Sequence, residues 1–104
     1  MTETELLAAV RQLCRRYDVV MDHRYLPLHD RPGWPDCSLL GTRAAAFREL
    51  KNARRAVTPA QHQTGARMRD CGLDWDVWRP RDLTSGRIER EIAGLSGKRP
   101  WTTA

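Results

Sequence analysis

No stretch of this chain stays apolar for the roughly 20 residues that a membrane-spanning helix needs. The opening Met1-Thr2-Glu3-Thr4-Glu5 has neither the basic flank nor the apolar core of a secretory leader. Both absences lead to the expectation of a cytoplasmic protein with no membrane partner. Cysteine is scarce and forms no Cys-x-x-Cys pair: Cys14, Cys37 and Cys71 are an odd number, expected as free buried thiols in a reducing compartment. A zinc site joining them to His23, His29 or His62 lacks ligand spacing. Internal repeats are also absent. A chain of 104 residues has room for one core and one domain, expected over residues 1–95, with a basic tail over 96–104.

What is plentiful is positive charge. The net charge is +5 and the pI about 9.7, which favours a polyanionic partner. Between Arg43 and Arg69 lie Arg43, Arg48, Lys51, Arg54, Arg55, Arg67 and Arg69 against a single acid, Glu49. A run of this kind is either a solvated face or, around a site handling phosphate, a phosphate track.

The periodicity predicts helix, three strands, helix, strand, helix, and hence an α/β fold with a mixed central sheet flanked by helices. The first helix starts at Thr2 or Thr4 and runs to about Arg16, with a Thr2-x-x-Glu5 capping box and a stripe of Leu6, Val10, Leu13 and Cys14. Asp18–His23 reads as a strand and Leu26–Trp34 as a loop. Cys37–Leu40 and Ala44–Arg48 read as strands joined at Gly41-Thr42-Arg43, the second ending near Lys51. After a basic turn, Thr58 caps a helix that begins with Pro59 and ends at Cys71, with Gly72 as its left-handed stop. Its face of Gln61, Gly65, Met68 and Gly72 is expected to lie on the sheet. Leu73–Trp78 is the last strand, and Arg79–Asp82 turns into a final helix from about Ser85 to Leu95.

Chemistry concentrates at Gly33-Trp34-Pro35-Asp36 and Glu49-Leu50-Lys51. On a strand Glu49 and Lys51 point to one side and Leu50 to the other. A Glu-x-Lys alone fits a solvated edge. With Asp36 a hairpin away, the two acids can converge on one divalent cation, which suits phosphodiester hydrolysis.

These residues resemble the VRR-NUC branch of the PD-(D/E)xK nuclease superfamily, the small stand-alone type of phages and bacteria. The resemblance rests on Gly33-Trp34-Pro35-Asp36, Arg48-Glu49-Leu50-Lys51, Thr58-Pro59-Ala60-Gln61 and Val77-Trp78-Arg79-Pro80, in order, and covers about Glu3 to Leu83. It implies a restriction-endonuclease-like core and a Mg²⁺- or Mn²⁺-dependent DNA endonuclease with no small-molecule cofactor, in a bacterial or phage-infected cell. Asp36 and Glu49 would hold the metal with the Leu50 backbone carbonyl, Lys51 would act on the attacking water and the phosphate, and Gln61 would bond near the nucleophile. Glu3 matches an N-terminal acidic position and His23 a histidine seen upstream of the acids. Helix capping would equally explain Gln61 and Glu3, and His23 also fits a half-buried strand residue. Arg43, Arg48, Arg54, Arg55, Arg67 and His23 are the expected DNA contacts. Trp34, Trp75 and Trp78 fit core and rim packing. The turn Asn52–Val57 departs from the family pattern in lacking an acid after the Lys. So small a domain has no separate base-reading module, which turns the expectation toward branched DNA, such as a four-way junction resolved by a homodimer. The alternatives are a non-catalytic nucleic-acid-binding or phage assembly protein that kept the fold, and a restriction-type enzyme with a sequence preference.

Overall fold

Helix α1 (Glu3–Arg16) begins at the predicted capping box: the Glu5 amide donates to the Thr2 hydroxyl at 3.1 Å and the Thr2 amide to the Glu5 carboxylate at 3.0 Å. The computed structural model describes residues 1–24 and 32–97. His29, most of the expected 26–34 loop and the tail from 98 onward lie outside the described residues. The α1 stripe of Leu6, Val10, Leu13 and Cys14 is buried, as its spacing requires.

Four strands follow, β1 (Val20–His23), β2 (Cys37–Leu40), β3 (Ala45–Leu50) and β4 (Trp75–Trp78), in the spatial order β1-β2-β3-β4. The first two pairings are antiparallel, and β3–β4 is parallel. A parallel neighbour needs a crossover, and α2 (Pro59–Asp70) supplies it. The chain is therefore a compact α/β domain with a mixed sheet flanked by helices. Cys37, Leu39, Ala46, Leu50 and Trp78 join the α1 stripe and Ile88, Ile92 and Leu95 in the main core. On the opposite face, α2 lies over Trp75: a Cβ on Gly65 would fall 2.5 Å from its indole ring, so only glycine allows this approach.

Several expectations need correction. The final helix is two helices, α3 (Pro80–Thr84) and α4 (Arg87–Ser96). Proline presets the helical φ at the first position, and the Asp82 carboxylate accepts the Arg79 amide at 2.8 Å, so the supposed turn closes into a helical one. Gly72 stops α2 at φ 89 but is exposed, with nothing near its missing Cβ, and does not face the sheet. Cys14 and Cys37 are buried free thiols, pushed up to about 11 and about 12 by burial, whereas Cys71 is exposed. Trp75 and Trp78 are buried and Trp34 is 43% exposed.

The largest correction is Arg48, expected on DNA and found 3% exposed. Its guanidinium lies over the Trp78 ring and donates to the Asp74 carboxylate (3.0 Å), the Asp74 carbonyl (2.9 Å) and Glu91 of α4 (3.0 Å). The Trp78 indole donates to the same Glu91 oxygen at 2.9 Å. Arg48 shares a strand face with Ala46 and Leu50, which places it under α4 instead of in solvent.

Candidate active site

Asp36 lies one step before β2. Extending the β2–β3 register, in which Cys37 faces Arg48, sets Asp36 opposite Glu49. Opposed residues of an antiparallel pair share a face, so the two acids are cross-strand neighbours. The Leu50 amide donates to Asp36 Oδ2 at 2.9 Å and fixes that carboxylate against β3. The Arg24 amide donates to the Asp36 carbonyl at 2.9 Å, continuing the β1–β2 ladder.

Gln61 answers both sequence readings at once. Its side-chain oxygen accepts the Thr58 amide at 2.9 Å, completing the capping box. Its Nε2 donates to Glu49 Oε1 at 3.0 Å. The α2 start is held close by Gly33, where an added Cβ would stand 2.2 Å from the Ala60 carbonyl oxygen. With φ 87, this is a position that only glycine fills without strain. The segment bearing Asp36 and the helix bearing Gln61 thus touch backbone to backbone.

Glu49 and Lys51 are each 2% exposed. Burial first, and then the Asp36 carboxyl beside it, push Glu49 up to about 9; Lys51 pulls it down and Glu3 adds to the rise. The Glu49 carboxyl therefore holds a proton at neutral pH, the expected outcome when two acids share a buried corner. Its Oε2 is buried without a hydrogen-bond partner.

A cavity of about 240 Å³ opens beside Asp36, lined by that residue with Glu3, Thr4, Leu7, His23, Arg24 and Leu50. Glu3 is held there by Arg55 at 3.1 Å. The Arg55 loop is itself built by the Asn52 side chain, which accepts the Arg54 and Arg55 amides, and by Arg79, which donates to the Asn52 and Arg55 carbonyls. Burial holds the His23 imidazole below its ordinary range, with Asp36 opposing and Arg11 adding to the drop.

The other predicted contacts divide. Arg54 and Arg55 flank the site through the loop after Lys51. Arg43 is at the opposite end of the hairpin, five to six extended residues or about 17–20 Å from Glu49. Arg67 is exposed on α2, six residues beyond Gln61. Arg69 lies over Trp75 and donates to its carbonyl at 3.0 Å. The basic excess therefore does not bracket the two acids. Sequence reasoning missed Arg24 and the α1 residues Thr4 and Leu7; a signal for the latter was their position beside the buried stripe.

Among the described residues no group of three or more His, Cys, Asp or Glu is placed to hold a metal ion. The donors present are a pair of carboxylates, one with an unpartnered buried oxygen. Mg²⁺ characteristically takes one or two protein carboxylates and fills its remaining positions with water and phosphate, so this hard-oxygen pair fits it. Comparison of the chain with protein-family models, with curated proteins and with solved structures finds no match.

Proposed function

We propose that the chain is a metal-dependent nuclease with a restriction-endonuclease-like core, hydrolysing phosphodiester bonds in DNA. The observation that carries this reading is the cross-strand Asp36–Glu49 pair, with a buried unpartnered oxygen and a buried lysine two residues along the same strand. The sequence motifs that resemble the VRR-NUC family add to it.

Asp36, Glu49 and the Leu50 carbonyl would hold Mg²⁺ or Mn²⁺, which supplies Lewis-acid polarisation and a water of lowered pKa. The Leu50 amide orients the Asp36 carboxylate, and Gln61 orients Glu49 through Oε1. Lys51, buried beside them, offsets negative charge as it builds on the phosphate; such a fixed charge acts strongly in a site that excludes water. Branched DNA, handled by a homodimer, is the substrate shape that suits a small domain without a base-reading module.

The test is incubation of supercoiled plasmid and a synthetic four-way junction with Mg²⁺, Mn²⁺ or EDTA. Metal-dependent nicking is expected, reduced at least a hundredfold in Asp36→Ala, Glu49→Ala and Lys51→Ala while DNA binding persists. Full activity in all three variants would end the proposal, and salt-sensitive binding without nicking under any metal would leave a non-catalytic binding protein. A strict monomer on gel filtration under active conditions would exclude paired junction cleavage.

A further inference from the structure

Three tryptophans fall among the described residues, and two of them carry a guanidinium on the ring. Arg69 lies 5.1 Å from the Trp75 ring centre and Arg48 5.0 Å from that of Trp78. Both rings are buried. Trp34 differs on each count: it is 43% exposed, and among the described residues no cation lies over its ring. An indole open in this way offers water a broad apolar face that another flat aromatic group can cover. Of the other exposed large apolar side chains, Val20, Leu40 and Leu73 are aliphatic and lie toward the end of the strands away from the acids.

The mount of this ring is rigid. On one side Gly33 meets the Ala60 backbone at the start of α2, so closely that an added Cβ would stand 2.2 Å from the carbonyl oxygen. On the other side Pro35 is fully buried and its ring fixes φ. A residue before proline is held extended, so Trp34 to Asp36 is a straight step of about 7 Å. Exposure alternates along it: Pro35 is turned into the core, and Trp34 and Asp36 are turned away. The open ring therefore stands within a single nucleotide's reach of the carboxylate that the Leu50 amide fixes. It is also beside the helix start from which Gln61 holds Glu49.

Resting on the nuclease reading, we propose that Trp34 is a stacking platform for a nucleobase flanking the scissile phosphate. A base inside a continuous duplex has both faces covered by its neighbours, so only a base freed from the stack can lie on the indole. Such bases occur where strands part, at a branch point, a fork or a single-stranded end. The platform makes open DNA the preferred substrate class. It does so without reading sequence, because every base presents a π-face.

Binding is measured in EDTA, over a range of NaCl concentrations, with a fluorescein-labelled forked DNA and a fully paired blunt duplex of the same length. The unsubstituted chain is expected to favour the fork, and Trp34→Leu to cut that preference about tenfold. Trp34→Phe, which keeps an aromatic face on the same mount, is expected to retain most of it. The slope of log affinity against log salt should be the same in both variants, because stacking releases no counterions. Leu73→Ala, at another exposed apolar position, is expected to change neither quantity. Independently of any substitution, a 2-aminopurine in the unpaired arm should dim at one position as it stacks on the bound protein, and brightening at every position would overturn the platform. No fork preference in the unsubstituted chain, or a preference unchanged in Trp34→Leu, in a protein that still nicks DNA with Mg²⁺, would overturn the platform and spare the nuclease. A chain that neither binds nor nicks either DNA would overturn both.

Discussion

Glu49 is pressed by neighbours that favour opposite charge states: burial and Asp36 keep its proton on, and Lys51 draws it off. Its ordinary range is near 4.5 and its folded value about 9, so the folded chain keeps a proton that the unfolded chain releases. The stabilisation from that proton is complete below pH 4.5, fades as pH rises, and is gone above pH 9. Thermal unfolding without metal should therefore show a melting temperature that falls across this window, and Glu49→Gln should flatten the fall. The same proton must leave when a divalent cation arrives, so calorimetric titration with Mg²⁺ or Mn²⁺ in buffers of different ionisation enthalpy should register proton release at pH 7, absent in Glu49→Gln. Arg48 makes a different prediction. Glu91 keeps Arg87 at 2.6 Å and Asp74 is open to water, so Arg48→Ala chiefly strips the Asp74 carbonyl and the Trp78 ring of their buried partner, which should cost about 1–3 kcal/mol in urea unfolding. A residue that served DNA alone would cost almost nothing.

Among the elements, α2 has the most exacting seat. Alanine is the better helix former by about 1 kcal/mol, yet Gly65→Ala drives a methyl into the Trp75 ring, and overpacking of this kind costs about 1–3 kcal/mol. Urea unfolding should show a net loss; a gain would mean that the α2–β4 contact is looser than described. Much of this element was legible: Thr58, Pro59 and Gln61 spell out its start, and a glycine in a helical run signalled close contact. The acids were legible too, because a two-residue strand period and a short hairpin leave few ways to place Asp36 and Glu49. What escaped was decided by contacts distant in sequence. Arg48 looks like part of a basic surface until strand alternation is applied with Ala46 and Leu50, and its acids, Asp74 and Glu91, come from segments 26 and 43 residues onward. Gly72 kept the spacing of the α2 face, but the helix ends before that face reaches it. The short α3 hid behind an Arg-Pro-Arg-Asp sequence that reads equally as a turn.

For the molecule as a whole, a cation that binds only the folded chain adds stability by mass action, about 2.7 kcal/mol at a hundredfold excess over its dissociation constant. Mg²⁺ should raise the melting temperature of the unsubstituted chain and leave that of Asp36→Ala unmoved. No helix among the described residues is long and apolar enough to cross a membrane. The β2–β3 connection is tied down from far away: the Arg43 and Ala44 amides both donate to the Leu95 carbonyl, at 2.8 and 3.2 Å, and the Thr42 hydroxyl donates to the Ser96 carbonyl at 2.9 Å. Protein synthesis delivers residues 36–51 well before residue 95. Until residues 95 and 96 are in place, therefore, the β2–β3 hairpin lacks the tether at its turn.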